Sequence, residues 1–187
     1  MASINGIELK GIKEFKGHEF EYLIQGNIYY KGKKVGWYSQ DSWGGCDHID
    51  LDYSLPKELL IEINGILDNY ESDTIFYGID ELYDKEYNIK WENGKKRLKG
   101  GEWLFGELIQ LIDNEKKYKK YSKQWGTNLI ALYYEDLFTM GVMGSKLPKE
   151  IFETQLKNDK KVKLYYLYSG LEDFIVNINK ESEENNE

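Results

Sequence analysis

The segment Cys46-Asp47-His48-Ile49-Asp50-Leu51-Asp52-Tyr53 carries side chains that can hold a metal or move a proton. Read as a strand, it places Cys46, His48, Asp50 and Asp52 on one face and Asp47, Ile49, Leu51 and Tyr53 on the other. The second row has the composition of a core face. The first could converge on a cation, since imidazole and carboxylate two residues apart point the same way. A transition-metal site gathers further His or Cys, yet His18 is the only other histidine and Cys46 the only cysteine. A hard cation such as Mg²⁺ needs only one or two carboxylates. Cys46 and His48 also have the makings of a nucleophile and base, but residues i and i+2 on a strand stand about 7 Å apart, beyond direct hydrogen bonding. Gly44-Gly45 reads as a bend that a side chain would obstruct. The row is therefore expected to be a solvated or partner-facing polar face, with no catalytic residue, metal or cofactor. A small metal- or nucleotide-binding enzyme or sequestering protein using Cys46, His48 and Asp50 is the alternative.

Two other stretches have chemical potential. Gly141-Val142-Met143-Gly144-Ser145-Lys146 has glycines and a Lys beside a Ser, but not the GxxxxGK[ST] spacing that cradles phosphates. The lysines of 116–123, interleaved with Tyr118, Tyr121 and followed by Trp125, have the composition of a nucleic-acid contact surface or of a charged helix end. A nucleic-acid binder through this cluster is a second alternative, although direct nucleic-acid binding is not the expected activity.

Charge is distributed unevenly along the 187 residues, whose formal net charge is −8. Residues 41–92 hold 14 acids against 3 Lys, whereas 93–125 hold 9 bases against 4 acids. Within the acidic block, Asp68, Glu71, Asp73, Asp80, Glu81, Asp84 and Glu86 alternate with Tyr70, Phe76, Tyr77, Tyr83 and Tyr87. Carboxylates among aromatic rings repel nucleic acid, attract basic protein surfaces, and supply contact area once bound. The candidate partner-binding residues are Trp43, Asp68, Glu71, Asp73, Tyr77, Asp80, Glu81, Tyr83, Asp84 and Glu86. One Cys excludes an internal disulfide framework. No run approaches the roughly 20 apolar residues of a membrane span, so a cytoplasmic protein is expected.

The elements that must position these residues make an α+β chain of antiparallel meanders with about three covering helices. Strands are predicted over Ile4–Phe15, Phe20–Tyr30, Val35–Tyr38 and Cys46–Tyr53, with a hairpin turn at Lys31-Gly32 and a bulge or close packing at Gly26. Pro56 opens a helix whose inward stripe is Leu59, Ile63, Ile66, Leu67 and Tyr70. A short strand or helical turn is expected near Ile75–Leu82, then a hairpin through Tyr87–Trp91 turning at Asn93-Gly94. A second helix runs from Glu102 to about Lys120, with Trp103, Leu104, Leu108, Leu111 and Ile112 buried. Leu129–Tyr134 and Leu137–Val142 read as a hairpin across Glu135-Asp136. A third helix, Pro148–Lys157, turns Ile151, Phe152 and Leu156 inward, and Val162–Tyr168 and Phe174–Ile178 read as closing strands. The expected division is 1–72 as an N-terminal sheet plus helix, 73–180 as a second α+β part, and 181–187 as a flexible acidic tail. Leu55-Pro56-Lys57-Glu58-Leu59 echoes Leu147-Pro148-Lys149-Glu150-Ile151, either as two good helix starts or as two ββα units.

The hairpin Tyr29-Tyr30-Lys31-Gly32-Lys33-Lys34-Val35-Gly36, followed by Asp41 and by Gly44-Gly45-Cys46, resembles a pattern in small proteins of phages and mobile elements. Among these it is similar to a family of type II-A anti-CRISPR proteins that inhibit Cas9. The resemblance covers about the first 55 residues and departs from a plainer Asp-Gly-x-Gly-Gly form at Ser42-Trp43. It implies a non-enzymatic inhibitor that acts by binding, in the cytoplasm of a host cell, and it carries over no catalytic residues. The expected partner is a bacterial defence protein, Cas9 or its guide-RNA complex, met on a basic nucleic-acid-binding surface; a homodimer is a further expectation.

Overall fold

Asn5-Gly6 and Lys31-Gly32 set the first sheet. Both residues of each pair lie in the left-handed region (φ 49° and 79°, then 48° and 78°), where the twist of a two-residue turn matches that of antiparallel strands. The first turn joins β1 (Ser3–Ile4) to β2 (Ile7–Lys16), and the second joins β3 (Tyr22–Tyr30) to β4 (Lys33–Ser39). The second hairpin is the predicted one; the first divides what reads in sequence as a single strand. The computed structural model describes residues 1–19, 22–43, 45–71, 77–87 and 100–178, the side chains of Tyr77 and Asp80 apart. The expected Asn93-Gly94 turn and the 181–187 tail lie outside those residues.

β5 (His48–Leu51) and β9 (Ile175–Val176) complete the order β5-β4-β3-β2-β1-β9, with β9 parallel to β1. β5 is shorter than the predicted Cys46–Tyr53. Asp52 accepts hydrogen bonds from the Ser54 N–H and hydroxyl at 3.0 and 2.6 Å, which turns the chain away and leaves Tyr53 79% exposed instead of core-facing. The register of β2 on β3 slips between Lys10 and Lys13. Gly11, at φ +62°, lies in that slip, and the Gly26 position opposite is filled by Leu9, whose Cγ would lie 3.0 Å from an added Cβ. At Gly36 a Cβ would strike the Asp50 carbonyl oxygen, so glycine lets β4 and β5 pair closely.

One face of this sheet buries Ile7, Leu9, Ile28, Tyr30, Val35, Tyr38 and Leu51. Helix α1 (Lys57–Asp68), entered through Pro56 as predicted, brings Ile63, Leu67 and the following Tyr70 inward. The start of α3 (Gly101–Trp125) brings Phe105, stacked on Tyr38 at 4.5 Å between centroids. Gly101 fits against Ile49 and Leu67, where a Cβ would come within 2.7 Å of Ile49 Cδ1.

Two compact units partition the chain, Met1–Ser72 with Arg97–Leu111 and Ile175–Glu187, and Asp73–Lys96 with Ile112–Phe174. The second contains α2 (Tyr77–Glu86), the rest of α3, and the sheet β7-β6-β8, formed by β6 (Leu129–Tyr134), β7 (Met140–Ser145) and β8 (Leu164–Tyr168). β6 is buried on both sides: Leu129 and Ala131 pack with Phe152 and Leu156 of α4 (Lys149–Asn158), while Ile130 and Leu132 alternate with them. Ile130 pairs with Tyr168, which accepts a hydrogen bond from Asn114 of α3 at 3.1 Å and stacks on Phe174 at 4.5 Å. Helices thus lie on both faces of the small sheet. Each unit contains one ββα run, β4-β5-α1 and β6-β7-α4, and each helix is preceded by proline at the N-cap (φ −52° in both).

The prediction fails at four further points. Trp103 is 43% exposed and Ile151 50% exposed, because the buried stripes run through Leu104-Phe105-Leu108 and Phe152-Leu156, one helical step around. α3 continues five residues past Lys120. β7 begins at Met140, because Asp136 folds residues 136–139 into a loop. The residues after Ser169-Gly170 form a 3-10 turn (Leu171–Phe174) and then β9, which pairs with β1 and not with β8.

Candidate functional site

Helix α2 shows its burial in its glycine. A Cβ on Gly78 would lie 2.6 Å from Leu164 Cδ1, so the missing side chain lets the helix rest against β8. The side turned away from Leu164 then presents Tyr83 and Tyr87, with Glu86 next to them, all exposed. Tyr83 and Tyr87, spaced i and i+4, place their rings 4.7 Å apart. They are 47% and 52% exposed. Asp84, three residues before Tyr87, is half-buried, as is Glu81 around the helix from the rings.

The β6–β7 loop extends this surface. Glu86 Oε2 accepts the Leu137 N–H at 3.4 Å. Asp136 Oδ1 accepts the N–H groups of Phe138 (2.8 Å) and Thr139 (2.6 Å), and its Oδ2 accepts the Thr139 hydroxyl at 2.9 Å. The Glu135 N–H closes the loop on the Thr139 carbonyl at 3.0 Å. Those bonds hold the Asp136 carboxyl below the ordinary carboxylate range, the Phe138 N–H contributing most. They also pin Phe138 in a fixed position with its ring 80% exposed. Sequence reasoning missed Phe138 because Leu137-Phe138-Thr139-Met140 reads as the start of a strand. Its signal was Asp136 three residues before Thr139, the pattern of a side chain that caps its own turn.

Of the other predicted partner residues, Trp43 is 75% exposed and stacks on His18 at 4.0 Å. Its loop is laced by acids: Asp41 accepts the N–H groups of Trp43 (3.3 Å) and Gly45 (2.7 Å), and Asp47 accepts the Tyr38 hydroxyl at 2.5 Å and the Asp41 N–H at 3.3 Å. Asp68 is exposed at the end of α1 and Glu71 is half-buried. Tyr77 and Asp80 lie on α2, and Asp73 lies outside the described residues. The block that is continuous in sequence is divided in the fold. Trp43, Asp68 and Glu71 belong to the first unit, and residues 73–86 to the second.

The Cys46 row has the exposure expected of it but gathers little chemistry. Cys46, His48 and Asp50 are exposed, with Ser39 opposite His48 and Trp37 opposite Asp50 on β4. A hydrogen bond with Glu102 raises the Cys46 thiol above its ordinary value, the opposite of what an attacking thiolate needs. Asp52 is occupied by Ser54, which lowers its carboxyl. Among the described residues no three or more His, Cys, Asp and Glu side chains are grouped to hold a metal ion, and no helix is long and apolar enough to cross a membrane.

The fold and this surface define an α+β chain with an exposed, carboxylate-flanked aromatic patch. Set beside known protein families, curated proteins and solved structures, the chain matches none of them.

Proposed function

We propose that this chain is a non-enzymatic binding protein that inhibits a bacterial defence nuclease in the host cytoplasm by occupying a basic nucleic-acid-binding surface. Cas9 or its guide-RNA complex is the partner suggested by the resemblance of the 29–46 segment. The observation that carries the reading is the paired Tyr83 and Tyr87 rings, half in solvent, with Glu86 beside them and Phe138 held out on the adjoining loop. Rings of that exposure bury substantial apolar area on contact, and the carboxylates around them select a positively charged counterpart. Trp43, braced on His18, is a second exposed ring of the same chemistry on the first unit.

The test is cleavage of a target duplex by Cas9 loaded with guide RNA, with the protein added beforehand. Wild type is expected to inhibit. Asp80→Lys, Glu81→Lys and Asp84→Lys together are expected to weaken inhibition by at least about tenfold. Undiminished inhibition by that variant would remove the electrostatic mechanism, and no inhibition by wild type would remove Cas9 as the partner.

A further inference from the structure

Strand β7 ends the β7-β6-β8 sheet, and among the described residues no strand pairs with its outer edge. Two hydrogen bonds fix which of its backbone groups face that edge. The Glu135 N–H donates to the Thr139 carbonyl at 3.0 Å, and the Lys163 N–H donates to the Tyr134 carbonyl at 2.8 Å. Thr139 therefore faces the β6 strand, whereas Tyr134 faces away from β7. Backbone direction alternates along an antiparallel pair, and β6 and β7 pair one to one from Tyr134↔Met140 to Leu129↔Ser145 without a slip. Met140, Val142 and Gly144 thus turn their N–H and C=O groups outward. Among the described residues no turn or loop bond takes these groups up.

Open edges are ordinarily blunted by charge, proline, bulges or shortness. β5 carries exposed His48 and Asp50, β9 is two residues long, and β8 has α2 resting on Leu164. β7, with the sequence MGVMGS, has no charge, no proline and no bulge over its 6 residues. Its two faces are occupied: Met143 packs against the cluster of Leu129, Ala131, Phe152 and Leu156, and Lys117 of α3 reaches the Met140 sulfur at 3.8 Å. The edge is what the strand has left to offer.

We propose that β7 pairs antiparallel with β7 of a second copy of the chain, about a two-fold axis at Val142. The order of side-chain sizes commits the edge to itself. About that axis Met140 lies across from Gly144 of the second copy, Gly141 from Met143, and Thr139 from Ser145, so each methionine meets a glycine. Each glycine is covered by a ring: Trp125 Cε3 stands 2.5 Å from where a Gly144 Cβ would be, and Tyr133 fills that place at Gly141. Pairing brings a thioether beside each ring, a favourable contact for sulfur. Met140, Val142 and Gly144 exchange both N–H and C=O with the same three residues of the second copy. No edge group is left over, and the symmetry closes the assembly at two. An arbitrary extended peptide would satisfy those backbone groups but not the alternation of methionine and glycine. A single strand pair buries less than the roughly 1,200 Å² of stable complexes, which sets a dissociation constant of about 10–100 μM. The pairing uses no α2 residue and does not depend on the function proposed above.

The test is sedimentation equilibrium of the full chain between about 5 and 500 μM. The mass is expected to rise from 22.1 kDa toward twice that value. Val142→Pro removes the N–H at the axis from both copies and should weaken dimerisation by about tenfold or more. In a Cys46→Ala background, Val142→Cys should cross-link on oxidation with diamide, since hydrogen-bonded partners stand about 5.5 Å apart, within disulfide reach. Met140→Cys in the same background should not, because its two copies lie more than about 13 Å apart. The cysteine variants leave the backbone donors in place, so they remain informative if Val142→Pro fails to fold. A mass that stays at 22.1 kDa throughout would overturn the proposal. So would equal cross-linking by the two cysteine variants, or a dimer that Val142→Pro leaves unchanged.

Discussion

At the level of single residues, Glu107 stands far from its solution chemistry. Burial alone pushes its carboxyl up to about 8 from the ordinary 4.5, and the buried Tyr70 hydroxyl donates to its Oε2. Between those two values the folded chain holds a proton that the unfolded chain has released. Stability therefore falls as pH rises across that window and levels off above it. Glu107→Gln keeps an acceptor for Tyr70 and removes the titration. Its urea midpoint should stay flat from about pH 5 to 8 while that of wild type declines; parallel profiles would refute the assignment. Asp136 behaves oppositely. Its lowered carboxyl favours the ordered loop at neutral pH, and that contribution disappears as pH falls through the carboxylate range. Asp136→Ala should free Phe138, lowering partner affinity without altering the circular dichroism of the fold. Phe138→Ala should lose as much affinity, and full binding by either variant would show that the loop is no part of the surface. Cys46, its thiol raised by Glu102, should alkylate more slowly than free cysteine at neutral pH.

At the level of elements, the sequence is most readable where local chemistry decides. Pro56 and Pro148 mark two helix starts, and Lys31-Gly32 marks a hairpin, because each sets backbone dihedrals on its own. Asn5-Gly6 had the same force and sits between Ile4 and Ile7; the alternation on either side concealed it. The strand-like run Leu137–Val142 misled because a carboxylate two residues from Phe138 captured the backbone that would otherwise have paired. Periodicity alone places Trp103 and Ile151 inside, and one step of helix phase puts them in solvent. Gly26 shows what the pattern could mark without explaining. It reads as bulge or close packing, and the close packing is against Leu9, at the slip in β2 around Gly11. Gly26→Ala would force Leu9 or the strand to move and should destabilise the chain by about 1–3 kcal/mol in urea denaturation. A change below the error of the measurement would mean that Leu9 swings aside freely.

At the level of the whole molecule, the least legible features are those with no local signal. β9 pairs with β1 across almost the entire chain, Ser3 with Ile175 and Ile4 with Val176, and nothing in either dipeptide names the other. The acidic block was legible as composition, but its division between two units was not, since charge along a sequence carries no information on where the chain turns back. What remains for function is the α2 portion with its rings and the loop that Asp136 builds beside them. Association through it should slow with added salt, because exposed carboxylates steer a basic partner only within the screening length. Hydrogen–deuterium exchange of the chain, alone and with Cas9 loaded with guide RNA, shows which segments a partner covers. Added protection is expected over α2 and residues 135–139; protection confined to other segments, or none, would rule this surface out as the docking face.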